Sequence, residues 1–465
     1  MRWPASAPSP ETNPPRVPRP SPVTIGQPRA WAGAPRVPPA SRRAPTASWD
    51  VLLVCVAVYI ATAVGRVHQL FPVLLPLKPT LVAAVLALGL YLLQKSRRTL
   101  VGMLRSRITT CLLGLLLWSA LSVTTALNQG LAFHSATDYF KTVVMFLVLA
   151  GSVRGIRDVE RLILVYFGVT VIYAAVVLSR FQLGSDDWRL SRLYNYDAND
   201  FATLIATAMP LGLYFVLAQR RTLLRALAVI GLAVLAVAEI RSGSRGGFLA
   251  LLAVAAFVLL RVTTVPPRSR LVGLVVILAV AFGTASDRYW NQMRTIVQPK
   301  QDYNTTAETG RLKIWERGLG YMAQNPVLGV GADNFEVAEG TISPLARLQE
   351  RGIGVRWAAA HNSFIQVGAE LGVPGLLLFV GLIASAFASL RRLARRQLGA
   401  NPAARAVSPL SQSLMAALVG FVVGAFFLSL AYSAMLYTLA ALVLALERSA
   451  SAEGSSGQLP RRVPI

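Results

Sequence analysis

One of the three histidines of the chain, His361, opens a glycine-rich apolar stretch and has Asn362 beside it. A neutral imidazole accepts a proton readily, so a histidine in such a position is a candidate general base. On a helical wheel His361 shares a face with Gly368 and Gly372, a spacing typical of close contact between helices. A lone histidine is also a common structural residue, and that interpretation stays open.

Arginines in two other polar segments could bind phosphate, because the planar guanidinium group holds phosphate oxygens in pairs. Arg241 and Arg245 lie in EIRSGSRGGFLALL, where Gly246 and Gly247 let a ligand approach the backbone. Arg311 begins the segment GRLKIW. An arginine at the end of a membrane span often only reaches toward the polar interface, and a loop arginine is often only solvated, so these structural interpretations also stay open.

Composition indicates the elements that must position these residues. The chain has 465 residues, of which 54% are hydrophobic and 14% are charged, and its mean hydropathy is +0.53. These values exclude an ordinary soluble domain and predict an all-α polytopic membrane protein. The net charge of +25 raises the question of nucleic-acid binding, but most cations lie in short loops between apolar runs, where membrane topology explains them.

Apolar runs of about 20 residues, the length that crosses a bilayer, predict about twelve transmembrane helices. They lie near residues 50–65, 77–94, 108–127, 139–153, 160–179, 200–218, 222–240, 246–261, 270–285, 373–390, 410–429 and 431–447. Alternate short loops are rich in Lys and Arg, which predicts both termini in the cytoplasm. The core then covers residues 49–448, between a disordered Pro/Arg-rich tail at 1–48 and a second cytoplasmic tail at 449–465.

One long hydrophilic loop, at about 286–360, is predicted on the outer side together with Arg245 and His361. Its sequence predicts a short helix from Arg311 to Met322, followed by the turn-rich segment NPVLGVGADNF. No ATP or nucleotide sugar is present on that side, so an enzyme there must use a group that is already activated, and a lipid-linked diphosphate is the obvious form. A base and several cations are the groups that such a reaction needs.

Neither a metal nor an organic cofactor is predicted. The sequence contains no DxD or HExxH motif, and its histidines are far apart. Convergence of Asp186, Asp187, Asp197 and Asp200 in space stays open as the one route to a metal site.

At these residues the sequence resembles the O-antigen ligase superfamily of bacterial envelope enzymes. The arginine motif of that family, Arg followed four residues later by Leu, matches Arg245 and Leu249. The other matching positions are His361, Asn362, Gly372 and Gly375 in the histidine motif, and Gly310, Arg311, Trp315, Pro326, Gly329, Gly331, Asn334 and Phe335 in the outer loop. Asn199, in YNYDANDFATLIA, resembles a weaker element.

The resemblance implies a GT-C-like, metal-independent glycosyltransferase of the bacterial inner membrane. It implies that His361 is the base that deprotonates the acceptor. It also implies that Arg245 and Arg311 bind the diphosphate of an undecaprenyl-diphosphate-linked glycan donor at the periplasmic face. Arg241, Asn362, Glu370 and Asn199 are supporting candidates. The acceptor, lipid A core or another glycan, stays open, as do a polysaccharide polymerase or a protein O-oligosaccharyltransferase of the same superfamily and, from another class, a multi-span transporter.

Overall fold

The structure is a computed structural model that describes residues 49–456 with several gaps. The gaps fall at 95–96, 181–188, 191–195, 219–220, 264–265, 269, 272, 274, 276–278, 280–282, 284, 299–301, 303, 305–306, 353, 355–356 and 396–401. The predicted disordered tail at 1–48 and the last nine residues, 457–465, lie outside the described residues.

The described part of the chain is helical and contains no β-strand, which confirms the predicted all-α polytopic membrane protein. Its α-helices are α1 (Val51–Ala63), α2 (Pro79–Gln94), α3 (Arg97–Leu104), α4 (Arg107–Ser122), α5 (Gln129–Ser152), α6 (Ile156–Arg180), α7 (Ala198–Ala218), α8 (Thr222–Ser242), α9 (Arg245–Arg261), α10 (Asp287–Arg294), α11 (Arg311–Gln324), α12 (Phe335–Thr341), α13 (Ser363–Arg395), α14 (Pro402–Phe426) and α15 (Ala434–Ser456). Short 3-10 helices occur at Val67–Leu70, Pro72–Leu74, Val123–Thr125 and Ala346–Arg351.

Seven described helices are long and apolar enough to cross a membrane: α6, α7, α8, α13, α14, α15, and α4 together with the 3-10 helix that continues it to Thr125. Each coincides with a predicted span. α1 and α2 also coincide with predicted spans but have only 13 and 16 residues. α5 and α9 cover two more, and the predicted span at 270–285 lies largely outside the described residues. The count of twelve therefore stays a prediction.

Two boundaries differ from the prediction. α5 begins at Gln129, ten residues before the predicted span at 139, because the Asn128 side chain accepts a hydrogen bond from the N–H of Leu131 and caps a polar first part of the helix. α15 continues to Ser456, past the predicted core boundary at 448. Hydropathy locates the apolar part of a helix, whereas helix ends depend on capping.

Burial separates central from peripheral helices. In α7 and α15 the most apolar stretch is 78% buried, whereas in α4 and α8 the figure is 33%. α14 packs on α7, α9 and α13, and α11 from the long loop packs on α13. The helices that carry the predicted site residues therefore meet around α13 and the end of α14.

Candidate active site

His361 immediately precedes α13 in a backbone conformation that few side chains adopt. Its φ is +48°, in the left-handed region, and its N–H donates to the Ser429 hydroxyl over 3.0 Å. The side chain of Asn362 accepts hydrogen bonds from the N–H groups of Phe364 and Ile365, at 2.9 and 3.1 Å. Asn362 is thus the N-cap of α13, and the half-buried His361 ring projects from a fixed point just before the cap.

The connection between α14 and α15 holds this helix start in place. The Ser363 hydroxyl donates to the carbonyl of Leu428 at 2.7 Å and accepts from the N–H of Leu430 at 2.8 Å. Together with the bond that the His361 N–H donates to Ser429, this makes a three-residue clamp, formed by 428–430, on the residues around His361. Sequence reasoning missed the clamp, because a serine in an apolar run carries no signal of its long-range partner.

The turn Pro326–Gly331 of the long loop, hereafter the glycine turn, packs against the break in α13. The N–H of Val330 donates to the carbonyl of Ala369, and the N–H of Val373 donates to the carbonyl of Pro326. Gly372 breaks the helix with φ +68° and ψ −171°, and a Cβ atom there would lie 2.5 Å from the Val327 carbonyl oxygen. A glycine followed two residues later by a proline is typical of one helix ending and the next beginning, and Gly372 and Pro374 stand at such a break; the contact explains why a glycine stands at 372.

Glu370 ties three segments together in the protein interior. Its side chain, which is 1% exposed, accepts hydrogen bonds from the Tyr432 hydroxyl at 2.7 Å, the Gln366 amide at 3.3 Å and the Phe335 N–H at 3.4 Å. Burial, and then the nearby Glu370 carboxyl, raises the pKa of Tyr432 well above its usual value, so its hydroxyl remains a donor. These contacts give Glu370 a structural position.

Arg311 is the first residue of α11, as predicted, and is half-buried. One turn along, the Trp315 indole N–H donates to the carbonyl of Ala360 at 3.0 Å, directly before His361. The Trp315 ring also packs edge-on against Phe426, with ring centres 5.4 Å apart. The helix that carries Arg311 is therefore fixed to the chain segment that carries His361.

Arg245 opens α9, which the Ser244 side chain caps through the N–H of Gly247. Its guanidinium group donates to both carboxylate oxygens of Asp302, at 2.6 and 3.3 Å, and to the Thr295 hydroxyl at 2.8 Å. Arg245 is 19% exposed and Asp302 is 13% exposed. Sequence reasoning missed Asp302, which lies 57 residues away in the long loop.

Burial alone would raise the pKa of Asp302, but hydrogen bonds from Arg245 and Asn304 outweigh that effect and hold the pKa below its usual value. Asp302 is therefore ionised at neutral pH. Its carboxylate binds the guanidinium group with two oxygens, which is the manner in which a phosphate group binds arginine. Three of the five guanidinium N–H groups make the bonds to Asp302 and Thr295, which leaves two that bond to no other described residue.

The two remaining supporting candidates, Asn199 and Arg241, lie beside the turn between α8 and α9. The Asn199 side-chain oxygen accepts from the Ser244 hydroxyl at 2.9 Å and from Arg189 at 3.1 Å. Asn199 therefore supports the cap of α9. The Arg241 carbonyl accepts from the Leu190 N–H at 2.9 Å, and its half-buried side chain makes no ion pair within the described residues.

All three predicted motifs reach the same two residues at the end of α14, Phe426 and Phe427. Gly246 packs on Phe427, since a Cβ atom at Gly246 would lie 3.2 Å from the Phe427 Cβ. Trp315 and Phe364 both pack on the Phe426 ring. Residues next to Arg245, Arg311 and His361 in the sequence therefore all pack on Phe426 or Phe427, hereafter called the aromatic pair.

An open apolar groove of about 590 Å³ lies beside the aromatic pair. It is lined by Leu249, Phe364, Val422, Val423, Phe426 and Phe427, and is hereafter called the apolar groove. Leu249 is the leucine of the arginine motif, one turn below Arg245, and Phe364 lies one turn beyond His361. The apolar groove is therefore lined by one residue of the arginine motif and by one residue of the helix that follows His361.

Within the described ranges, no group of three or more His, Cys, Asp or Glu side chains is arranged to hold a metal ion. Of the four aspartates considered above, Asp186 and Asp187 lie outside the described residues. Asp197 accepts hydrogen bonds from the N–H groups of Asn199 and Asp200 at the start of α7.

Residues 230–380 match the family model described as O-Antigen ligase. This segment contains the arginine motif, the long-loop motif and the histidine motif, and the match confirms the predicted resemblance. Asn199 lies outside it. No curated protein matches the chain. The match supports an O-antigen ligase-like membrane glycosyltransferase and favours that class over the transporter alternative.

Proposed function

We propose, from this family match as the premise, that the protein transfers a glycan from an undecaprenyl-diphosphate-linked donor to a hydroxyl group of an acceptor. The reaction takes place at the periplasmic face of the inner membrane, and both termini lie in the cytoplasm. The acceptor is lipid A core or another glycan. Neither a metal ion nor an organic cofactor takes part.

In this mechanism His361 removes the proton from the acceptor hydroxyl as its oxygen attacks the anomeric carbon of the donor. The bond between that carbon and the diphosphate oxygen breaks, and undecaprenyl diphosphate leaves with the bonding electron pair. Arg245 and Arg311 bind the diphosphate and stabilise the negative charge that develops on it. The proton that His361 has taken is then released to water.

One observation carries the proposal: residues of all three motifs pack on Phe426 and Phe427, beside an apolar groove that Leu249 and Phe364 line. A polyprenyl diphosphate has an apolar chain and an anionic head. The groove suits the chain, and Arg245, one helical turn from Leu249, suits the head. Arg245 already binds a carboxylate with two oxygens, so its side chain is oriented for an anion.

The test is glycan transfer by the purified full-length protein from a lipid-linked donor, with and without EDTA. Wild type and His134→Ala, the control at an exposed histidine of α5, should turn over in both conditions. His361→Ala should lose about 10²- to 10⁴-fold in rate, the usual contribution of a general base. Full activity in His361→Ala would overturn the base assignment, and loss of wild-type activity in EDTA would overturn the metal-free mechanism.

The same assay identifies the acceptor if lipid A core and a second lipid-linked glycan are offered in parallel. Mass spectrometry of the products then assigns the new linkage. Transfer to lipid A core is the result that an O-antigen ligase gives, and chain extension of the second glycan is the result that a polymerase gives.

A further inference from the structure

A second cavity, of about 1060 Å³, lies far from the candidate active site. It is bounded by the start of α4, the end of α5, the second half of α13 and the end of α15, and is hereafter called the cationic cavity. From Gly372 to Arg392, α13 rises by about 30 Å at 1.5 Å per residue. The cationic cavity is therefore at the opposite end of α13 from His361, and the proposed transfer reaction does not use it.

Its charge is strongly positive. The lining contains Arg105, Arg107, Arg154, Arg392 and Arg448, against the single carboxylate of Glu447. Arg154 pairs with Asp50 and Asp158, and Arg392 pairs with Glu447. Arg105 and Arg107 are exposed, and in the described part of the chain neither is paired with a carboxylate. These two side chains provide uncompensated positive charge at the mouth of the cationic cavity.

One wall of the cationic cavity is apolar, because α13 presents small residues there. Gly381, Ala384 and Ala388 recur at helical spacing along this apolar wall, and Ile108 and Leu444 also line the cavity. A soluble anion makes no favourable contact with this apolar wall, whereas an acyl chain can pack against it. The shape therefore suits a ligand with a charged head and an apolar tail.

Ser389 provides an independent indication that a ligand binds in this cavity. Its side chain lines the cationic cavity and is 1% exposed, yet its hydroxyl has no hydrogen-bond partner among the described residues. A buried hydroxyl without a partner is costly, and buried polar groups are nearly always hydrogen-bonded. An ester or phosphate oxygen in the cavity would accept its proton.

We propose that the cationic cavity binds an anionic phospholipid. The phosphodiester group lies against Arg105 and Arg107, the acyl chain follows Gly381 to Ala388, and the Ser389 hydroxyl donates to an oxygen of the lipid. Clusters of arginine near a membrane surface bind anionic headgroups in this manner. The predicted positive-inside topology puts this end of the bundle at the cytoplasmic leaflet.

The experiment measures phosphatidylglycerol binding to the full-length protein in zwitterionic nanodiscs by native mass spectrometry. Arg105→Ala/Arg107→Ala should weaken binding by roughly 30-fold, from about a fivefold contribution of each arginine. The matched control is Arg391→Ala/Arg395→Ala, which removes the same charge from exposed positions on α13 that do not line the cavity, and it should stay within about twofold of wild type. Equal binding by wild type and Arg105→Ala/Arg107→Ala would overturn the proposal.

Two further arms identify the ligand chemistry. Ala384→Phe places a bulky ring at an exposed position on the apolar wall of the cavity without changing any charge. It should also abolish lipid binding. Glycerol phosphate at millimolar concentration should not displace the lipid. Lipid binding that survives Ala384→Phe would show that the acyl chain does not lie against this part of α13, and displacement by glycerol phosphate would show that the site recognises the phosphate alone. Either result would overturn the lipid assignment.

Discussion

The break in α13 at Gly372 and the turn between α8 and α9 both lie in predicted motifs, but different kinds of contact hold them. At the break, backbone groups of the glycine turn bond to backbone groups of α13, and Gly372 allows the close approach. Beside Arg245, the contacts run through side chains, with Ser244 capping the helix and Asp302 binding the guanidinium group.

This difference teaches which parts of the site can adjust to a ligand. A region built from backbone contacts has one geometry, because a peptide group has no rotamers to change. A region built from side chains can exchange partners, and the carboxylate of Asp302 can give way to a phosphate. We therefore expect substitutions near Gly372 to act mainly on folding, and substitutions near Arg245 to act mainly on ligand affinity.

The largest effect is expected from Gly372→Ala. The φ and ψ of Gly372 fall in a region that is essentially restricted to glycine, and the added Cβ would collide with the Val327 carbonyl oxygen. We expect a loss of about 3–5 kcal/mol of stability, and with it loss of transfer activity. Thermal unfolding of the purified protein, followed by tryptophan fluorescence, measures the change.

The control for this substitution is Gly320→Ala in α11, where the added Cβ would meet no atom within 4 Å. A helical alanine should leave the stability equal or slightly higher. If Gly372→Ala melted like Gly320→Ala, the account of the glycine turn would be wrong.

A smaller effect, with the opposite sign, is expected from Asp302→Asn. Removal of the carboxylate frees Arg245 for a phosphate, so the KM for the donor should fall by about tenfold. Asp287→Asn, an exposed acidic residue of α10, serves as control and should leave KM unchanged. A higher KM in Asp302→Asn would mean that Asp302 positions Arg245 and does not compete with the ligand.

The change in KM should be the same at pH 6 and pH 8. The pKa of Asp302 is lowered below its usual value of 3.8, so the pair contributes stability above that pH. The contribution is lost only as the pH falls through the lowered pKa. A KM difference that disappeared between pH 8 and pH 6 would contradict this assignment.

The smallest effect is expected from Asn362→Ala, which removes the N-cap of α13. Loss of such a cap costs about 1 kcal/mol of stability, and Asn362→Ser should recover most of it. Thermal unfolding gives both values. If Asn362→Ala and Asn362→Ser lost transfer activity as fully as His361→Ala while both stayed folded, the amide would act on the ligand and not only on the helix.

The same difference between backbone and side-chain contacts explains what the sequence could predict. The start of α11 at Arg311 and the break at Gly372 follow from local patterns of glycine, proline and apolar residues, and the structure contains both. Local patterns also located the seven long membrane helices. They predicted a longer first helix, a span at 50–65, whereas α1 has only 13 residues.

Contacts between distant residues were out of reach. Asp302 lies 57 residues from Arg245, and Ser429 lies 68 residues from His361. Phe426 and Phe427 read as ordinary residues of an apolar span, although all three motifs pack on them. A single sequence has no pattern that pairs such positions, so the motif residues could be predicted and their supports could not.

The most direct test of the central claim, that Arg245 and Arg311 bind one diphosphate, is a double-mutant cycle on donor affinity. Dissociation constants of the lipid-linked donor are measured for wild type, Arg245→Ala, Arg311→Ala and the double variant. Residues that share a ligand couple by about 0.5–3 kcal/mol, so the double variant should bind more tightly than the sum of the single losses predicts. Strict additivity would contradict a shared diphosphate site.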